Sequence, residues 1–218
     1  MKKIIDGIVD ETKYGKDGSY KIMWILKEGN VSPEDIDKER NICEELLNDS
    51  HKSNALSIPT FRKMIYATYG ILHPETEWFD VPFANDEAYE VIKKIANVNI
   101  NKYPGGSISE NDEIQNAYNE NKVELLKQIK ECNPEIIIFA NTLQYFETED
   151  LNSIGWNVSP EVKGYADETT YNTAYYITSP NKLCIHAYHP AYVKITDKIY
   201  WDEIKTAVQK WGDTRKIN

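Results

Sequence analysis

The chain has 218 residues, 41% of them hydrophobic and 28% charged, with a formal net charge of -10. That length supports one sizeable core, expected as a single domain over residues 1–218, and the composition is ordinary for a globular protein. No apolar run approaches the roughly 18 residues of a membrane-spanning helix, and the acidic balance argues against broad adhesion to nucleic acid, which depends on neutralising phosphates.

Met1-Lys2-Lys3-Ile4-Ile5-Asp6 lacks the apolar segment and small-residue cleavage site of a signal peptide. Cys43, Cys132 and Cys184 are too far apart for a disulfide framework or a paired metal-ligand spacing. The expected compartment is the reducing cytoplasm, with no membrane partner, no metal and no cofactor.

The first strong element is Lys21-Ile22-Met23-Trp24-Ile25-Leu26, a continuous apolar run of strand length that breaks at Lys27-Glu28-Gly29-Asn30. Ser32-Pro33-Glu34-Asp35 reads as a helix start, with Ser32 as N-cap and Pro33 at the first position, opening a surface helix over 34–48. A second helix fits Thr60 to Tyr69, with Gly70 as its C-cap. A short strand, Ala96 to Asn101, runs into Lys102-Tyr103-Pro104-Gly105-Gly106, whose glycines permit close approach of backbone to a ligand. A long helix from about Ser109 ends at Asn133-Pro134, and Glu135-Ile136-Ile137-Ile138-Phe139-Ala140 is a third strand. Gly155 to Pro180 is polar and tyrosine-rich, irregular or holding a hairpin. A fourth strand around Cys184-Ile185-His186-Ala187 is stopped by His189-Pro190, since proline cannot continue a central strand. Tyr200 to Trp211 is the last helix.

Strands alternating with helices predict an α/β fold with a mostly parallel, four-stranded central sheet and helices on both faces. Ligands of such sheets bind at the carboxyl ends of the strands, and there the prediction gathers Glu28-Gly29-Asn30, Asn99 to Gly106 and His189-Pro190. His186 and His189 are three apart on a strand-like segment and face opposite sides, which disfavours a shared metal. No Gly-rich phosphate loop with a Lys-Ser/Thr end is present.

Taken in order, Leu26-Lys27-Glu28-Gly29-Asn30, Val98-Asn99-Ile100-Asn101-Lys102-Tyr103-Pro104, Asn133-Pro134-Glu135-Ile136-Ile137-Ile138, Tyr188-His189-Pro190-Ala191-Tyr192 and Trp201-Asp202-Glu203 resemble motifs of the uracil-DNA glycosylase superfamily. The likeness is nearest to its thermostable bacterial and archaeal branch and spans roughly residues 20–212. That branch carries an iron–sulfur cluster, but its cysteines have no counterpart here, and Tyr103 stands where one is expected. The first motif also departs from the family: Asn30 and Val31 replace its Pro and final Gly. Gly29 occupies the position that holds a water-activating Asp or Asn in well-known members, leaving room for a bulkier base. An insertion separates Val31 from Pro59.

The resemblance implies a three-layer α/β/α domain that flips a modified base out of DNA and hydrolyses its N-glycosidic bond. It casts His189 as donor to the base oxygen, Glu28 as the carboxylate that orients water, and Asn99 as the amide that reads the base edge. Phe61 corresponds to the base-stacking aromatic. Gly29 and Asn30 line the pocket, while Lys102, Pro104, Gly105, Gly106, Pro190, Ala191 and Tyr192 contact substrate or its backbone. Lys27, Lys182 and Lys194 would add local positive charge near phosphates. Glu28 before a turn, Asn99 at a strand end and Phe61 on a helix each also fit a structural role. The alternative function is a binding module that keeps the fold without catalysis and holds a nucleotide, a modified base or a protein partner.

Overall fold

The computed structural model describes residues 2–30, 37–105, 109–167, 171, 173–179 and 181–217. The chain begins with two short strands, β1 (Ile4–Ile5) and β2 (Gly7–Ile8), before the buried strand β3 (Ile22–Leu26). β4 (Arg40–Asn41) pairs in parallel with β1 and leads into the short helix α1 (Ile42–Leu47). Then come α2 (Pro59–Leu72), β5 (Ile95–Asn99), α3 (Asn111–Cys132), β6 (Ile136–Ala140) and α4 (Thr148–Ser153). The chain closes with β7 (Lys163–Tyr165), β8 (Ala174–Ser179), β9 (Lys182–Ala187) and α5 (Asp197–Ile217).

The fold is α/β, built on a mixed seven-stranded sheet in the order β2-β5-β3-β6-β9-β8-β7. The expectation of four strands is therefore corrected. The four anticipated strands are the parallel centre, and antiparallel partners extend both sides: β2 against β5, and the β8–β9 hairpin with β7. The polar stretch before Pro180 thus supplies sheet edge, where one-sided exposure suits tyrosines and polar residues.

Continuous apolar strands still divide their residues between two faces. Ile22, Trp24 and Leu26 join Ile136, Ile138, Leu183 and Ile185 against α2 and α5. Met23, Ile25, Ala96, Val98, Ile137 and Phe139 pack with Ile114, Tyr118, Leu125 and Ile129 of α3. Period-two alternation within an all-apolar strand is what a sheet covered on both faces requires. Deep in the first core, the Trp24 indole donates to the Thr68 hydroxyl at 3.1 Å.

Helix boundaries differ from the sequence reading at α5, which runs Asp197–Ile217 rather than Tyr200 to Trp211, and in three further places. The proposed start at Ser32 lies outside the described residues, but 37–41 are not helical. Asn41 is the cap instead, accepting the Glu44 N–H at 3.1 Å. Gly70 is not a C-cap. It lies inside α2, where a Cβ would sit 2.4 Å from Nε1 of Trp201, so glycine permits close packing of α2 on α5. Ser109 does not cap α3, whose N-cap is Glu110; its hydroxyl has another partner.

The chain leaves β3 for β5 by way of α2, then returns past β3 to β6 by way of α3. The reversal places a topological switch point at the carboxyl end of β3, where open α/β sheets form crevices. Among the described residues, no helix is long and apolar enough to cross a membrane.

Candidate functional site

A cavity of about 440 Å³ opens at this switch point. Its floor is Leu26 to Asn30 with Asn97 and Asn99 of β5. One wall is the turn after β9, with His189 and Ala191, and the opposite wall is the start of α2 with Thr60, Phe61 and Met64. The insertion between the first motif and α2 contributes Arg40, Ile42 and His51. Glu28, Gly29, Asn30, Phe61, Asn99, His189 and Ala191 are thus brought together. Among the described residues, Lys102, Pro104, Gly105, Pro190 and Tyr192 are not part of the lining.

His189 is held by its own turn. The Ala191 N–H donates to Nδ1 at 3.2 Å, and the Tyr192 N–H donates to the His189 carbonyl at 2.9 Å. With Nδ1 serving as acceptor, the neutral ring carries its proton on Nε2. Burial, reinforced by the charges of Lys27 and Lys63, pushes the imidazole down to about 4. At neutral pH it is an uncharged hydrogen-bond donor. The turn is anchored from below: the Tyr200 hydroxyl donates to the Tyr188 carbonyl at 2.9 Å, and the buried Lys63 ammonium donates to the Tyr192 carbonyl at 2.6 Å. Sequence reasoning missed Lys63, because nothing local marks a lysine on an amphipathic helix as buried.

Glu28 is also oriented by neighbours. Its Oε2 accepts from Asn101 Nδ2 at 3.1 Å and its Oε1 from the Ser109 hydroxyl at 2.6 Å. Gly105 lies against the carboxyl, and a Cβ there would fall 1.9 Å from its carbon. The Gly105 N–H donates to the Gly29 carbonyl at 3.1 Å, fastening the two loops together. Gly105 therefore serves the site by leaving space for Glu28. Gly106 lies outside the described residues.

Asn99 and Lys102 share one buried carboxylate. Asp6 Oδ2 accepts from the Asn99 backbone N–H at 2.7 Å and from its Nδ2 at 3.3 Å. The Lys102 ammonium donates to both Asp6 oxygens, at 2.8 and 3.0 Å, and to Gln128 Oε1 at 2.6 Å. Lys102 and Asp6 side chains are each 1% exposed. A phosphate contact by Lys102 is thus corrected to a structural one: the ammonium neutralises Asp6, which in turn sets the Asn99 amide. Lys182 is corrected too, since it starts β9, at the opposite end of the strand from His189. Pro104 and Pro190 are buried and shape their turns, whereas Tyr192 is exposed and stacked on Tyr188 with centroids 5.2 Å apart.

Gly29 does not create extra room for a base. A Cβ there would lie 2.8 Å from Cδ1 of Ile4 and 3.4 Å from both Arg40 Nη1 and Ile42 Cδ1, so other side chains fill that direction. Arg40 forks onto Glu45, with Nε at 2.9 Å from Oε1, and its Nη1 donates to the Asn30 carbonyl at 2.7 Å. Glu45 also meets His51 Nε2 at 3.0 Å, and the His51 ring stacks on Phe61 with centroids 4.7 Å apart. Burial raises the Glu45 carboxyl, but the hydrogen bonds from His51 and Arg40 outweigh it and hold the group below the usual range. His51 has a partner after all, six residues back and across the end of α1, a spacing that no short motif records.

The uncapped start of α2, with Pro59 at its first turn, faces the cavity beside Phe61. Free N–H groups there favour an oxygen or an anion. The arrangement combines a neutral donor, an oriented carboxylate, amides and an aromatic ring around a space fit for a planar polar ring. A scan against protein-family models finds no match, and a search of curated proteins finds no relative.

Proposed function

We propose that the chain is a DNA glycosylase with a three-layer α/β/α domain like that of uracil-DNA glycosylases, hydrolysing the N-glycosidic bond of uracil or another modified base in the cytoplasm. The observation that carries this reading is the meeting of His189 and Glu28 in one cavity at the strand ends, each oriented by hydrogen bonds from its own chain. As the bond breaks, its electron pair passes to the base nitrogen and positive charge spreads over the sugar ring. The Nε2–H of His189 stabilises the charge reaching the base oxygen, a preorganised interaction worth a few kcal/mol. Glu28 retains lone pairs beyond the two in use and orients the water whose oxygen bonds to the sugar carbon, taking up the proton that the water gives up, which balances the proton the departing base anion gains. Net charge of -10 confines DNA contact to this local surface, where Lys27 lines the cavity.

A second reading rests on Glu28 itself. Both carboxylate oxygens are tied to Asn101 and Ser109, which suits a site that binds a base or nucleotide without hydrolysing it. The test is base excision from labelled oligonucleotides carrying uracil, hypoxanthine, xanthine or a hydroxymethylated pyrimidine, in single strands and duplexes, with alkali to reveal abasic sites. Cleavage lost in His189→Ala supports the glycosylase; no cleavage on any substrate, with ligand binding retained, supports the binding module.

A further inference from the structure

Asn97 sits on β5 between Gly7 of β2 and Trp24 of β3, two residues before Asn99 and on the same face of the sheet. The two amides are therefore about 7 Å apart along the strand. Asn97 is 3% exposed, lines the cavity, and its Oδ1 is shielded from water with no hydrogen-bond partner. An orphaned buried polar atom is destabilising, and asparagine is disfavoured in strands. Nothing in the fold repays this. Its lateral neighbour Trp24 and the preceding residue on its face, Ile95, are apolar, and a branched apolar side chain would satisfy the strand and the core together. Local rules are broken in this way mainly where a ligand supplies the missing partner.

We propose that Asn97 is a specificity-determining residue, whose carbonyl accepts a hydrogen bond from the bound base. This rests on the base-binding reading of the cavity and names its ligand class. Asp6 holds the Nδ2 end of the Asn99 amide, so Asn99 presents its carbonyl end to a ligand. The floor thus offers two acceptors, while His189 offers one donor from the wall. The complementary ligand is a planar ring with one carbonyl oxygen and two separated donors. Uracil linked through N1 has a single ring N–H. Xanthine linked through N9 has two ring N–H groups, and a pyrimidine bearing a hydroxyl arm has that hydroxyl as its second donor, whereas hypoxanthine linked through N9 has only one. A cavity of about 440 Å³ also accommodates more than one six-membered ring.

The test separates this role from catalysis by measuring binding. The 2′-deoxynucleosides of uracil, xanthine, hypoxanthine and 5-hydroxymethyluracil, whose glycosidic nitrogen carries no proton, are titrated into the wild type, Asn97→Leu and Asn97→Val by calorimetry, with urea denaturation of each protein alongside. The expected result is tighter binding of the xanthine or 5-hydroxymethyluracil nucleoside than of the uracil or hypoxanthine nucleoside by the wild type. Either apolar variant should lose that preference, with affinity for the two-donor base down tenfold or more, and should match or exceed the wild type in stability. Asn97→Val serves if Asn97→Leu does not fold. Unchanged affinities in a folded variant, a variant markedly less stable than the wild type, or no binding of any base by the wild type would each overturn the proposal. Binding with the expected preference but no excision from DNA would overturn the glycosylase reading and leave the role of Asn97 standing.

Discussion

Replacing His189 tests the catalytic reading most directly, because the structure fixes what the ring must be. Its Nδ1 accepts the Ala191 N–H, so Nε2 is the donor, and burial holds the pKa near 4 against an ordinary 6.5. Loss of one preorganised donor of this kind costs about 10²–10³ in rate, or roughly 3–4 kcal/mol. His189→Ala should therefore slow single-turnover excision by that factor while near-ultraviolet circular dichroism stays native. The wild-type rate should stay flat through pH 6.5 and fall only toward pH 4, where Nδ1 gains a proton that meets the Ala191 N–H. Stability responds in the same window. A depressed histidine pKa means the unfolded chain takes up its proton first, so stability is full above about 6.5 and declines as pH falls toward 4. At about 1.4 kcal/mol per unit the loss is bounded near 3.5 kcal/mol, and solvent screening of a partly exposed ring reduces it to roughly 1–3. Urea denaturation at pH 8, 6 and 4.5 should show this slope and show less of it in His189→Ala. His186, lowered by burial and by Lys163, titrates in the same direction and remains in both proteins. An acid limb near pH 6.5 that vanishes on replacing His189, or a His189→Ala rate within tenfold of wild type, would refute the reasoning.

Glu28→Gln should reduce the excision rate at least a hundredfold while leaving affinity for base-containing DNA within a few-fold, read by single-turnover kinetics beside fluorescence anisotropy. Gly105→Ala should mimic part of that loss, because the new Cβ occupies the space of the Glu28 carboxyl; its effect should fall on kcat, and an unchanged kcat would mean that the carboxyl position is immaterial. Lys102→Met leaves Asp6 buried without its cation and should cost about 3–5 kcal/mol in urea denaturation. The salt dependence of DNA binding in that variant, measured where it remains folded, should match the wild type, since Lys102 reaches no phosphate. Gly70→Ala forces the Trp201 indole aside and should cost about 1–3 kcal/mol without touching the cavity.

Of the four parallel strands, β3 and β6 were legible because each is an unbroken apolar run, a pattern that burial on both faces imposes, whereas β5 and β9 were legible from shorter apolar segments followed by proline turns. The edge strands were less so: β7 and β8 are half-exposed and rich in tyrosine, so alternation against one core is their main signature. Site residues at strand ends were found where proline or glycine marks the end, as with His189-Pro190 and Glu28-Gly29. Lys102 misled because its neighbours in sequence are turn residues, whereas its partner Asp6 lies on the segment between β1 and β2, 96 positions away. Asn97 was visible in the Asn97, Asn99, Asn101 alternation, but the interior polar residue of a buried strand was passed over in favour of the one at its end. Arg40, His51 and Ser109 come from the insertion and from the approach to α3, and are brought to the cavity by pairings five to 81 residues apart.

These long-range pairings also bear on whether the site hydrolyses or merely holds. A binding module needs complementary polar groups, and the amides, the uncapped start of α2 and the Phe61–His51 stack already provide them. Such a module has no use for a carboxylate beside the leaving group's path, because a negative charge near a ligand that has no developing cation weakens binding. Glu28 is placed there at the cost of two further polar residues, Asn101 and Ser109, which point their donors at it, and of a glycine at 105 that makes space for it. A merely structural acid would serve as well with its carboxyl turned to solvent. Orientation by three residues of the β5–α3 connection is what a group needs to keep a water aimed at one carbon. The arrangement of Glu28, more than the presence of His189, therefore favours hydrolysis over capture.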